Sequence, residues 1–300
     1  MADLALAVDV GGTKLAAGLV GLDGTLLQRA TVPTPNGRVE PGADELLWGD
    51  LAGLVEGVMA GVGAGDRLVV CGAGCGGPMS AGGNEVSPLN IEAWRGFPLR
   101  ARLAALTGLE TFVDNDAKAL AVGEGWVGAA AGCANFLAMV VSTGVGGGIV
   151  LDGRLLDGRL GNAGHIGHVV VEPSGRACPC GGRGCLEAEA SGTAIAAITG
   201  RPPREASAAL VAHAGTLVGR AIASVVNLLD LPLAVVGGSV ALGYGEPFFR
   251  AAQAEMDLRC GLDFARGARV VPGGLGDAGP LVGAARVGLE RMAGTGGGSG

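Results

Sequence analysis

A chain of 300 residues that is 49% hydrophobic can bury the core of one large domain or two moderate ones, and its 59 glycines follow no fibrous period, so they mark tight turns between strands. The formal net charge of −7 at pH 7 favours solubility and excludes a surface built for nucleic acid, which needs clustered Lys and Arg. Asp3 and Asp9 interrupt the N-terminal apolar run, which argues against a signal peptide, and no stretch reads as the ~20 apolar residues of a membrane span; the cysteines therefore point to a reduced, cytoplasmic protein with no membrane partner.

In chain order, Leu4–Val10 reads as an apolar strand broken by Gly11-Gly12. Leu15–Val20 and Thr25–Val32 continue as strands, joined by Asp23-Gly24, a strong hairpin signal. Asp44–Val62 places Leu46, Leu47, Leu51, Leu54, Val55 and Val58 at helical spacing. Val69–Gly72 and Thr111–Val113 read as short buried strands, and Asp116–Ala130 as a helix. Phe136–Val141 then opens a second unit on the same plan, with a glycine-rich turn at Gly144–Gly148, then Ile149-Val150 and Asp152-Gly153. The phrase L-D-G-x-L-L occurs at Leu22–Leu27 and again at Leu151–Leu156, so two related half-folds are expected. Glu205–Leu229 reads as a long helix, Leu233–Val236 and Arg269–Val271 as strands, and Pro280–Met292 as a final helix. Strands alternating with helices give an α/β class. The expected domains are a small one at 1–115, with the C-terminal helix 278–293 returning to it, and a large one at 116–277. Residues 294–300 read as a flexible glycine-rich tail.

Three segments carry glycine turns, the first two suited to phosphate. Asp9-Val10-Gly11-Gly12-Thr13-Lys14 follows a strand; its glycines let amide groups converge on an anion, and Thr13 and Lys14 add a hydroxyl and a cation. It reads equally as a plain hairpin turn. Ser142-Thr143-Gly144-Val145-Gly146-Gly147-Gly148 is a second such segment, in the equivalent place of the second half-fold. Gly237-Gly238-Ser239 is a third, where small residues admit a base or ribose, or simply turn a strand into a helix. Gly72–Gly77 formally matches G-x-G-x-x-G, but Pro78 and Gly82-Gly83 stand where that fingerprint needs a helix. His168, Cys178, Cys180 and Cys185 follow H-x9-C-x-C-x4-C, the Cys3His set of a structural Zn2+. Asp114-Asn115-Asp116 lies at a strand end and a helix start. Asp116 reads as a helix cap or as a general base on a hydroxyl, with Asn115 offering an amide to sugar hydroxyls. His213 reads as an ordinary helical histidine.

Together these residues resemble the ROK family (repressors, uncharacterised frames and sugar kinases) along nearly the whole chain. DVGGTK at 9–14 is similar to its first phosphate motif, DNDAKA at 114–119 to its catalytic segment and STGVGGG at 142–148 to its second phosphate motif. AGHIGH with CPCGGRGCLEAEASG is similar to its zinc and sugar segment. The resemblance implies a two-domain, actin-like (ribonuclease H-like) ATPase fold with a cleft between the domains. It implies transfer of phosphate from ATP, with Mg2+, to the 6-hydroxyl of glucose or of an N-acylhexosamine such as N-acetylmannosamine; polyphosphate stays open as the donor. Asp116 becomes the catalytic base. Asn90, Asn115, His165, His168 and Glu187 become sugar contacts. Asp9, Gly11, Gly12, Thr13, Lys14, Thr143, Gly144, Gly146, Gly147, Gly237, Gly238 and Ser239 become nucleotide contacts. His168 would serve both the metal and the sugar. Most sugar kinases of the family carry Glu where this chain has His165, whereas some bacterial N-acetylmannosamine kinases keep histidine. A homodimer or homotetramer is expected. The alternative is a sugar-sensing protein without catalysis; the family's N-terminal DNA-binding module does not precede the first strand here, so DNA binding is not expected.

Overall fold

The computed structural model describes residues 2–35 and 41–296. They form two compact units, one of Met1–Trp126 with Asp157–Ala163 and Asp277–Gly300, the other of Val127–Leu156 with Gly164–Gly276.

In the first unit, β1 (Asp3–Val10), β2 (Lys14–Gly21) and β3 (Leu26–Pro33) form an antiparallel meander. Helix α1 (Ala43–Met59) follows, then β4 (Arg67–Cys75), α2 (Leu99–Thr107), β5 (Thr111–Asn115) and α3 (Asp116–Val127). The sheet order is β3-β2-β1-β4-β5, with β4 parallel to both β1 and β5. β1 and β2 are buried along almost their whole length, as apolar strands covered on both faces are. β3 alternates half-buried with exposed residues and forms the sheet's edge. The Asp23-Gly24 turn forms as expected: Gly21 N–H donates to Thr25 O, and Asp23 Oδ1 accepts from Thr25 N–H at 3.0 Å.

The second unit repeats this order. β6 (Phe136–Val141), β7 (Val145–Leu151) and the two-residue β8 (Arg154–Leu155) form an antiparallel meander. A long excursion follows through α4 (Leu186–Ala190), α5 (Gly192–Thr199) and α6 (Ala208–Leu229). The chain returns in β9 (Leu233–Gly237), α7 (Ser239–Tyr244), α8 (Glu246–Arg259) and β10 (Arg269–Pro272). The sheet order is β10-β9-β6-β7-β8, with β9 parallel to β6 and β10. Strand for strand, it matches the first sheet, so the repeated L-D-G-x-L-L phrase marks a repeated topology.

Three expectations shift. First, α6 is long and apolar enough to cross a membrane, with a mean hydropathy of 1.5, which the sequence reading overlooked. It serves as a core helix: Val211, Leu217, Val218, Ile222 and Val226 are buried in one cluster with Phe248, Ala252 and Met256 of α8. It starts at Ala208, not Glu205, because Ser207 caps it by accepting from Leu210 N–H at 3.3 Å. Second, α2 and α8 were not anticipated; α8 buries Phe248, Ala252 and Met256 at spacings of four on one face, with polar residues between. Third, the division between units falls after Trp126, where the sequence placed it near Asn115. α3 buries every residue from Ala117 to Glu124 and stays with the first unit.

The last helix, α9 (Gly279–Gly296), packs on β4 and β1. Gly72 permits this: a Cβ there would fall 1.9 Å from the Ala284 carbonyl oxygen. α9 runs into the expected tail at 294–300, of which residues 297–300 lie outside the described residues.

Candidate active site and metal centre

In the first unit the site forms where β1, β4 and β5 end side by side. Register aligns Asp9 with Gly74, and Gly74 with Asp114. The Gly11-Gly12 turn is closed by Gly11 N–H donating to Lys14 O at 3.0 Å. Thr34, from beyond β3, braces it: its hydroxyl donates to Gly11 O at 2.6 Å and its N–H to Thr13 O at 3.0 Å. Nothing local in the sequence indicated Thr34. Asn90 lies against this turn, since a Cβ on Gly12 would be 2.9 Å from Asn90 Cβ.

The β5–α3 junction shows which residue takes the main capping role. Asn115, not Asp116, caps α3: its Oδ1 accepts from Ala117 N–H at 3.0 Å and from Lys118 N–H at 3.4 Å. Asn115 therefore keeps only its Nδ2 as a donor outward. Asp116 is the first helical residue. Its Oδ1 accepts from Ala117 N–H at 2.9 Å, which leaves Oδ2 for another partner. Solvent reaches Asp116, yet the protein packed around it pushes its carboxyl above the ordinary range; the Ala117 N–H bond opposes that rise in part. Asp9 is buried, and that burial, with the nearby charge of Asp116, lifts it from 3.8 to about 7 against the opposing charges of Lys14 and Arg29. Gly74 lies between the two acids: the position of a Cβ there is 3.5 Å from Asp116 Cα and 3.8 Å from Asp9 Oδ1.

In the second unit the turn between β6 and β7 is shorter than its sequence suggested. Ser142-Thr143-Gly144 makes the turn, closed by Ser142 N–H donating to Gly144 O at 2.9 Å. Gly146 and Gly147 belong to β7 and pair with Val140 and Met139. The third turn joins the second: Ser142 Oγ lies 2.9 Å from Ser239 Oγ. Gly237 closes β9, and Gly238 adopts φ +95° just before α7 begins at Ser239. Two residues not singled out earlier fix this region. Gly192 N–H donates to Ser142 O at 2.7 Å, and the Thr193 hydroxyl donates to Thr143 O at 2.9 Å. Ser191 before an apolar run was a legible cap signal, and it does cap α5 through Ala194 N–H.

Glu187 joins this turn to the cysteine segment. Its Oε2 accepts from Val145 N–H at 2.9 Å, and a Cβ on Gly144 would come within 2.8 Å of that oxygen. Glu187 stands on α4, directly after Cys185. Cys178, Cys180, Cys185 and His168 offer ligand atoms that all lie within 4.8 Å of one another. His168 Nδ1 is 3.8 Å from Cys178 Sγ, and Cys180 Sγ is 3.8 Å from Cys185 Sγ. Tetrahedral Zn2+ with bonds of ~2.3 Å to sulfur sets ligand atoms about 3.8 Å apart, so the residues fit that ion. Gly182 N–H donates to Cys180 and lowers its thiol pKa, whereas burial pushes the thiols of Cys178 and Cys185 up, the latter to about 12. The segment is anchored from outside by buried Glu189, which accepts from Arg176 N–H at 2.5 Å and pairs with its guanidinium. Arg220 of α6 donates to Val171 O at 2.7 Å beside it. His165 lies with its ring 6.0 Å from that of His168.

A duplicated sheet of this order, with a glycine turn after the first strand of each copy, defines the actin-like class of ATPase fold. Residues 5–290 match the ROK family. An N-acetylmannosamine kinase of Citrobacter koseri is 38% identical over 257 residues, 80% of this chain and 84% of that protein. Two solved structures share the fold. A ROK hexokinase from Thermus thermophilus has a TM-score of 0.81 at 34% identity, covering 97% of this chain and 99% of that one. A ROK family glucokinase from Streptomyces griseus, in complex with glucose and AMPPNP, has a TM-score of 0.80 at 30% identity, covering 96% and 99%. The chain belongs to the ROK family.

An acid whose native pKa lies above its unfolded value keeps its proton in the folded state after the unfolded chain has lost it. For Asp9 this makes native stability fall as pH rises from 3.8 to about 7 and stay flat above. Asp9→Asn should therefore raise the melting temperature at about pH 8 and much less at about pH 4.5. Thermal unfolding across that range checks this; an equal effect at both ends would place the titration elsewhere.

Proposed function

We propose that this protein transfers the terminal phosphoryl group of ATP to the 6-hydroxyl of a hexose. The observation that carries the reading is Asp116: relieved of capping by Asn115, it keeps one carboxylate oxygen for a substrate and stands beside the glycine turn at Gly11-Gly12. Asp116 Oδ2 accepts the O6 proton as O6 attacks the terminal phosphorus; the bond from that phosphorus to the bridging oxygen breaks and ADP leaves. The protein packed around Asp116 raises the basicity of its carboxylate, as a general base requires. The N-terminus of α3 favours its charged form.

Phosphoryl transfer asks a protein mainly for alignment and charge neutralisation. Gly11, Gly12, Thr13 and Lys14 supply amides, a hydroxyl and a cation to the phosphates, and Thr143 and Gly144 supply their second turn. Gly146 and Gly147 support that turn from within β7. Gly237, Gly238 and Ser239 make the floor for the nucleoside. Mg2+ accompanies ATP, held chiefly by phosphate oxygens and water. Asn90, Asn115, His165, His168 and Glu187 contact the sugar. Glu187 keeps Oε1 for this while Oε2 holds Val145 N–H. Zn2+ would be held by His168, Cys178, Cys180 and Cys185 and would clamp the segment that carries His165 and Glu187; the ring nitrogen of His168 left outside the metal would be an N–H donor.

The hexose is glucose or an N-acylhexosamine. His165 favours the second, because an imidazole can donate to an acylamino carbonyl where a carboxylate cannot; the Citrobacter koseri relative agrees. Glucose is the second reading, favoured by the glucokinase likeness.

Coupled ADP-release assays with glucose, mannose, N-acetylglucosamine and N-acetylmannosamine test the reading. Tight sugar binding without ADP release would sink it in favour of a sensor. Asp116→Asn should keep sugar binding while lowering kcat by about 10²-fold or more; a variant that keeps more than a few per cent of the rate identifies another base. His165→Glu should shift preference towards glucose on the same panel. Metal analysis of the purified protein should find one zinc per chain, and Cys180→Ser should lose it together with thermal stability. A Cys178–Cys180 disulfide in place of metal would overturn that assignment.

A further inference from the structure

Lys118 stands outside every role assigned above. Its side chain is 1% exposed. Three acceptors surround the ammonium: Asp157 Oδ1 at 2.7 Å, Asp114 Oδ1 at 2.9 Å and Gly161 O at 3.0 Å. An ammonium has three N–H bonds, so each finds a partner. Arg291 of α9 completes the group, with Nη2 3.3 Å from Asp114 Oδ2 and 3.1 Å from each oxygen of Asp157. Two cations thus face two carboxylates. Partial burial pushes Asp157 up, but the hydrogen bond and charge of Lys118, with Arg291, outweigh it and hold the carboxyl below its ordinary range.

Stability alone explains this arrangement poorly. A cation in the first turn of a helix opposes the helix dipole. A buried ion pair is often no more stabilising than apolar groups of the same volume. What the cluster does supply is location. Asp114 and Lys118 flank Asp116 two residues to either side, and Asp114 Oδ1 also accepts the N–H of Asn115 at 2.8 Å. The backbone that carries Asp116 is therefore tied to the 157–161 segment and to α9 as well as to its own cap.

We infer that Lys118 is a positioning residue, which fixes the β5–α3 junction so that Asp116 meets the substrate hydroxyl at bonding geometry. The inference rests on the kinase reading, so wild-type ADP release is measured first; its absence would overturn both. Given wild-type turnover, Lys118→Met should lower kcat about 100-fold while the KM values for ATP and hexose change less than about twofold, since a misplacement near 1 Å costs that much. Lys118→Met also leaves a surplus carboxylate. The double variant Lys118→Met/Asp157→Asn restores charge balance between Asp114 and Arg291, and should recover the melting temperature without recovering kcat. A single variant with near-normal kcat, or a double variant that regains rate together with stability, would overturn the inference and leave the kinase reading standing.

Discussion

The side-chain cap that Asn115 places on α3 is the contact on which the rest depends. A helix start must find acceptors for its first amides. Had Asp116 met that need alone, its carboxylate would be an ordinary structural group. Asn115 supplies the main acceptor, and the next residue is left with an oxygen free on a rigid backbone. The protein packed around it and the helix N-terminus then act on that carboxylate in opposite senses, one raising its proton affinity and the other favouring its charge. Within the five-residue stretch Asp114–Lys118, the contacts of Asp114, Asn115 and Lys118 hold the backbone on which Asp116 stands.

The second unit reaches a comparable result by a different route. Cys185 both offers a metal ligand and opens α4, and Glu187 on that helix holds the first amide of β7. The loop from His168 to Cys185 buries Val171, Cys178 and Cys185, and the Arg176–Glu189 pair and Arg220 hold it further.

Much of this was legible in the sequence, and the reason is locality. His168, Cys178, Cys180 and Cys185, which the structure gathers, lie within eighteen positions of one another, the glycine turns follow their strands directly, and the repeated L-D-G-x-L-L phrase marks equivalent hairpins in two sheets of the same order. Where sequence reading fell short, the determinants were distant or hidden. Thr34 braces a turn 23 residues away, and Arg291 reaches Asp114 across 177. The long run of glycines after Thr143 looked like one extended turn, because glycine in a strand and glycine in a bend are indistinguishable by composition. Cap and base could not be separated at Asp116 because both use the same residue type at the same place, and only hydrogen-bond geometry tells which neighbour took the cap. Helix α8 was missed because its apolar face is short, with Arg, Gln, Glu and Asp filling the rest.

The return of α9 to β4 across the bare face of Gly72 has a bearing on biosynthesis. Domains generally fold as units, the N-terminal one first as the chain is made. Here the first unit owns both the earliest strands and helix α9, so its sheet stays uncovered at β4 until α9 has been made. The strands of the second unit are all synthesised before that helix. A nascent chain of this protein therefore carries an exposed β4 surface until α9 emerges to cover it.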